Sequence, residues 1–245
     1  MRRPDEVWKS DSLVRNFLGG VRGGIPFAAE QIDVMLRLIA ARDEPIASFL
    51  DLGCGDGILA KAILARYPHA RGTLVDFSAP MLERAHAHVS DYASNVHFVM
   101  ADFAVPEWAE PVAHRAPFDI VVSGYAIHHQ PDERKQALYG EILHLLKPGG
   151  LFVNVEHVAP ATDWVAALND DLFIDSLYRF HRASGSEISW DRVAQDFVHR
   201  PDKAANILAP VELQCAWLRH HGFTDVDCYF KVFELAVFGG RRPGG

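Results

Sequence analysis

Apolar runs of strand length alternate along the chain with longer stretches whose apolar residues recur every three or four positions. Continuous apolar strands are what a sheet buried on both faces requires, so the alternation predicts an α/β fold with a mostly parallel sheet between helical layers. Strands are expected at residues 47–52, 73–77, 96–100, 118–123 and 151–156. Helices are expected between them at 57–67, 79–89 and 132–146. After the last of these, Lys147-Pro148-Gly149-Gly150 reads as a stop and a turn into the next strand.

Past Glu156 the rhythm changes. About fifty-five residues, 159–214, carry no strand pattern but contain aromatic-rich helical stretches, and they are expected to form a helical cap. A helix at 211–221, ended by Gly222, leads to two β-rich runs, 224–230 and 232–238, with only Lys231 between them. Such spacing predicts a tight reversal and an antiparallel last strand. Upstream, the glycine-rich FLGGVRGGIPF reads as a loop before a helix at about 28–42. The chain is expected to be one domain, with an N-terminal lid and helix at 1–45, a core at 46–156, the cap at 157–210 and a final helix and strands at 211–245.

Candidate chemistry concentrates in FLDLGCGDGILAKAI, a buried strand running from Asp51 through glycines 53, 55 and 57 into a helix. Glycines there let the backbone turn tightly and approach a ligand where a Cβ would collide. Asp76 follows Gly57 by 19 residues, at the end of the next strand, where a carboxylate can accept both hydroxyls of a ribose. Asp102 follows the third strand and could accept from an adenine amino group, with Phe103 against the ring. Glycines alone can be a plain turn and single aspartates can be helix caps, but all three in consecutive strand–helix units favour a nucleotide site. A dinucleotide is disfavoured, because its G-x-G-x-x-G needs a glycine where Ile58 stands.

Net charge is -8, which counts against a nucleic-acid partner. The basic pairs Arg2/Arg3 and Arg241/Arg242 read as solvated termini. Cys54, Cys215 and Cys228 suggest neither a disulfide framework nor a metal site, and fit a reducing cytoplasm. MRRPDEVWKSDS is charged where a signal peptide needs an apolar core, and no apolar run reaches the ~20 residues of a membrane span. A cytoplasmic protein away from membranes is expected.

Taken together, DLGCGDG, LVDFSAPML, ADF and VVSGYAIHHQPDERKQALYGEILHLLKPGGLFV, over about residues 47–156, resemble the ordered motifs of class I S-adenosylmethionine (SAM)-dependent methyltransferases. The resemblance implies a Rossmann-like seven-stranded sheet with an antiparallel last strand and SAM as cofactor. It also implies roles: Gly53, Cys54 and Gly55 along the methionine part, Asp76 on the ribose, Phe77 and Met81 beside the adenine, Asp102 on its amino group, and Ser123 and Gly124 near the sulfonium. The C-terminal third, from YRFHRASG through SEISW to LRHHGFTDVDCYFKVFELAVFGGR, is similar to carboxy-SAM synthases, which make a carboxymethyl donor for tRNA wobble-uridine modification. The arginine expected there for the added carboxylate is aligned with Trp217, and the expected cofactor-site tyrosine falls near Ala28, so ordinary methyl transfer to a small-molecule acceptor is favoured.

A methyl on a sulfonium needs mainly alignment and exclusion of water, with a general base where the acceptor must lose a proton. Candidates are Glu156, His128, His129 and His157, at the carboxyl ends of the fourth and fifth strands; Glu156 is the favoured base, and the histidine pair can instead be a cap and packing element of the following helix. Arg22 is expected to meet the methionine carboxylate, and aromatics of the cap such as Phe173 and Tyr178 to line the acceptor site or its core. A carboxy-SAM synthase-like activity and a non-catalytic SAM-binding subunit are the alternatives. A homodimer is an expectation from the fold class alone.

Overall fold

The computed structural model describes residues 3–42 and 44–244. In chain order its elements are α1 (Asp11–Gly20), α2 (Ala28–Ala40), β1 (Ser48–Leu52), α3 (Ile58–Arg66), β2 (Arg71–Asp76), α4 (Ala79–His88), β3 (Val96–Met100), β4 (Phe118–Gly124), α5 (Asp132–Leu145) and β5 (Leu146–His157). They continue with α6 (Asp163–Ala183), α7 (Trp190–Val198), α8 (Val211–His220), β6 (Thr224–Val232) and β7 (Leu235–Arg241). The seven strands lie in the order β3-β2-β1-β4-β5-β7-β6. Pairing is parallel from β3 to β5, and β7 runs antiparallel to both β5 and β6. Since β1 and β4 are neighbours while the chain leaves them in opposite directions, their carboxyl ends form the crevice where open α/β sheets bind ligands.

The central strands are buried along their whole length, and their side chains divide into two apolar clusters, one on each face of the sheet. Phe49, Leu74, Ile120 and Val153 pack under α2 and α3; Leu50, Val121, Phe152 and Phe238 pack under α5 and α8. A third, smaller cluster, with Ile174, Leu177, Val193 and Phe197, joins α6 to α7. It is the core of the cap.

Three local expectations need correction. The KPGG stretch is not a turn before the strand: β5 starts at Leu146, directly after α5, and a bulge against β4 between Phe118 and Ile120 absorbs these residues while Lys147 Nζ donates to Asp119 Oδ1 at 2.8 Å. The last reversal falls at Phe233-Glu234, because Val232 pairs with Leu235 and Phe233 takes a left-handed backbone at φ 49. The glycine-rich N-terminal stretch is helical up to Gly20 and then forms a 3-10 turn at Arg22–Gly24, over which α6 packs so closely that a Cβ at Gly23 would strike the Phe180 ring. Nor are the terminal arginines simply solvated. Arg3 pairs with Asp102, and Arg242 donates to the carbonyls of Leu143 and Leu146 at the end of α5; Arg2 lies outside the described residues.

Candidate functional site

The turn after β1 is built by three left-handed glycines, Gly53, Gly55 and Gly57, with φ 68, 51 and 77. Gly53 N and Cys54 N both donate to Val75 O, which ties the turn to the end of β2. A Cβ at Gly57 would lie 3.2 Å from Ala85 Cβ, so that glycine serves the packing of α3 on α4. At Gly55 the same atom would meet nothing within 4 Å. Its bare backbone faces open space, the geometry of a surface left clear for a ligand.

Two buried carboxylates flank this turn. Asp76 accepts from Gly55 N and Ser78 N, both at 2.8 Å, and burial pushes it up to about 6. Asp51 accepts from Ala60 N at 3.1 Å through Oδ2, its Oδ1 has no partner among the described residues, and burial pushes it up to about 7. Asp102 accepts from Ala104 N at 3.0 Å and from Arg3. A short N-terminal 3-10 segment, Pro4–Lys9, crosses this end of the site: Trp8 O accepts from Ser78 Oγ at 2.6 Å, and Lys9 sits over the Phe77 ring.

A cavity of about 790 Å³ opens beside this turn and its carboxylates. Clefts of ~300–1,000 Å³ are usual for small-molecule sites. Asp51, Gly53, Cys54, Gly55, Asp76, Phe77, Met81, Asp102, Phe103, Gly124 and Arg22 all line it, as expected of a shared site, and Arg22 lies 3.6 Å from Asp56 Oδ1. Gly57 and Ser123 do not. The Ser123 hydroxyl is wholly buried and donates to Leu52 O at 2.7 Å, which fixes β4 to β1 and keeps it from any ligand.

Beyond Gly124 the cavity continues to the histidines. Residues Ile127–His129 form a 3-10 turn, not extended chain, and this brings the rings of His128 and His129 to the same cavity wall, 4.0 Å apart. His128 Nδ1 lies 2.6 Å from Glu156 Oε1, its backbone N donates to Oε2 at 3.0 Å, and Asn206 approaches the ring from the cap. His129 Nδ1 donates to Ala205 O at 3.0 Å, which leaves Nε2 with the lone pair. Burial drives both imidazoles down, His129 to about 3 and His128 well below its ordinary range, so both are neutral at physiological pH. His157 is paired with Glu234 at 2.6 Å.

Glu156 is a correction. Its carboxylate is wholly buried, is pushed up by that burial, and is occupied by His128 and by His157 N at 2.9 Å; it stands behind His128 and does not reach the cavity. The cap wall adds residues that periodicity did not single out as site residues, among them Asn169, Asp170, Phe197 and Arg200, alongside the expected Phe173. Tyr178 packs instead in the core of the cap. Trp217, on α8, packs against the sheet core and does not line the cavity.

Bare backbone at Gly55, an Asp51 oxygen with no partner among the described residues and a carboxylate at the end of β2 together fit SAM, whose methionine carries an amino group and whose ribose carries two hydroxyls. Residues 49–150 match the family model described as a methyltransferase domain. That match, together with the sheet order and this site, makes residues 49–150 a SAM-dependent methyltransferase domain. Within the class the sequence is similar along nearly all its length to the carboxy-S-adenosyl-L-methionine synthase of Aeromonas hydrophila, at 28% identity over 230 residues, 92% of this chain and 86% of that one. An uncharacterized methyltransferase of Mycobacterium tuberculosis is 35% identical over 125 residues, 48% of this chain and 58% of its own. Among solved structures, an O-methyltransferase family protein from Burkholderia thailandensis superposes with a TM-score of 0.65 at 17% identity over 99% of this chain. The present chain spans 60% of that structure's length. No described helix is long and apolar enough to cross a membrane.

Proposed function

We propose that the enzyme transfers a methyl group from SAM to a small molecule held beneath α6 and α7, and that His129 receives the acceptor's proton. One observation carries this reading: the cavity that begins at Asp76 and Gly55 continues without a break past His128 and His129 to the inner wall of the cap. SAM bound at the glycine turn supplies a methyl already activated as a sulfonium, so the protein's tasks are to orient, to exclude water and to accept a proton. Asp76 takes the ribose hydroxyls, Asp102 the adenine amino group, and Arg22 the methionine carboxylate. His129 Nε2, unprotonated at neutral pH and without a partner among the described residues, accepts from the acceptor's O–H, N–H or S–H. His128 and Glu156 position that wall through their mutual hydrogen bonds. The free thiols Cys54, Cys215 and Cys228 suit a reducing, cytoplasmic setting, and the net charge of -8 argues against nucleic acid as the acceptor.

A second reading, synthesis of a carboxylated SAM, is favoured by the end-to-end similarity to carboxy-SAM synthases. Mass spectrometry of ligand released from the purified protein separates the two. SAM or S-adenosylhomocysteine supports methyl transfer; a heavier, carboxylated sulfonium contradicts it. Incubation with methyl-labelled SAM and a metabolite panel then tests turnover directly, and failure to label any member while SAM binds would count against a small acceptor.

A further inference from the structure

The charges along the cap side of the cavity are unbalanced. Three arginines line the cavity and none is left for the acceptor: Arg15 pairs with Asp11, Arg200 with Asp202 at 3.3 Å, and Arg22, 3.6 Å from Asp56, is the group given to the cofactor's carboxylate. Among the described residues no lysine lines it. Of the carboxylates on the cap side, Asp202 is matched by Arg200 and Asp196 by Arg192 at 3.0 Å. Asp170 of α6 also lines the cavity, yet has no ion pair or side-chain hydrogen bond among the described residues.

Beside it stands Asn169, only 2% exposed, whose Oδ1 is buried and has no partner among the described residues although the residue lines the same cavity. A buried amide oxygen left without a donor is a cost that a folded chain rarely retains unless something outside the chain completes it. Phe173 lies one turn further along α6, on the same flank, and stacks on Phe197 of α7 with ring centroids 5.3 Å apart. Two oxygen acceptors, one of them a free carboxylate, next to aromatic faces make a place for a cation.

We propose that Asn169, Asp170 and the Phe173–Phe197 pair form an ammonium subsite. The acceptor, on the reading that it occupies this cavity, then carries a protonated amine in addition to the atom that is methylated. The amine donates to Asp170 and to Asn169 Oδ1. An anionic acceptor would meet an unpaired carboxylate and no free arginine or lysine, and a neutral one would leave the half-buried Asp170 to solvent.

Three probes that share a phenol and differ in charge test this: tyramine, 2-(4-hydroxyphenyl)ethanol and 4-hydroxyphenylacetate. Each is titrated calorimetrically into the full chain saturated with S-adenosylhomocysteine. Tyramine is expected to bind about tenfold or more tighter than the alcohol, as a charge-assisted hydrogen bond allows, with the carboxylate weakest. Asp170→Asn and Asn169→Leu are expected to erase that preference while leaving S-adenosylhomocysteine affinity unchanged. Equal binding of the three, a preference for the carboxylate, no binding of tyramine, or a preference that survives Asp170→Asn would each overturn the subsite. Failure of S-adenosylhomocysteine itself to bind would speak against the cofactor reading instead.

Discussion

At the scale of single residues, neighbours in sequence serve different ends. Gly57 and Ser123 read as site residues, yet one lets α4 approach and the other stitches two strands, because both point into packed protein. Of the three glycines in the turn after β1, Gly55 is the one with empty space where its side chain would be. Gly55→Val therefore sets a branched side chain against the ligand and is expected to weaken SAM binding at least tenfold, roughly 1.4 kcal/mol or more, in a calorimetric titration; unchanged affinity would mean the turn does not touch the cofactor. For the histidines, His129→Ala is expected to lower kcat by about 10²-fold with SAM affinity intact, the usual scale of a general base. Glu156→Gln should act less directly. It keeps the shape but weakens the hold on His128, so the loss should be smaller than that of His129→Ala; an equal or greater loss would make Glu156 the acting base.

At the scale of elements, the alternation of strands and helices is legible because each buried strand is one continuous apolar run and each covering helix has one apolar stripe. What was not legible depends on tertiary contact. The KPGG residues carry turn chemistry but are held in a strand by β4 and by Lys147 on Asp119. The two histidines share one wall only because their segment winds as a 3-10 turn, which two-residue alternation cannot reveal. The cap's site residues sit on helices whose inner faces mix polar and aromatic side chains, so periodicity marks them as core. Gly23 and Gly24 looked like loop residues; they are where α6 lies against the N-terminal turn, with Phe180 and Leu177 occupying the space. Gly23→Val should push the cap away and destabilise the protein by about 1–3 kcal/mol, as overpacking does. Thermal unfolding checks this, and an unchanged Tm would show that the turn is not packed as described.

At the scale of the whole molecule, the buried carboxylates couple ligand binding to pH. Asp51 and Asp76 have an ordinary value of 3.8 and are raised in the folded chain to about 7 and about 6. Raised values mean that the folded protein binds protons more tightly than the unfolded chain. Their contribution to the stability of the ligand-free protein is thus fully present below pH 3.8 and lost as pH rises through 6 to 7. SAM binding makes the opposite demand, since ribose hydroxyls and an ammonium group are best received by ionised carboxylates. The rise in Tm caused by saturating SAM is therefore expected to grow from pH 5.5 to pH 8, and an Asp76→Asn variant should show a flatter dependence. A shift that is constant over that range would mean these groups do not receive the ligand.

The central claim is that the turn at Gly55 and the carboxylate of Asp76 hold SAM at one end of a cavity whose other end holds the acceptor. Calorimetric titration of SAM into the wild-type chain and into Asp76→Ala tests it most directly. One molecule per chain is predicted for the wild type, with a loss of about 1–3 kcal/mol in the variant for hydroxyls left without an acceptor. Absence of binding to the wild type, or equal binding to both proteins, would contradict it.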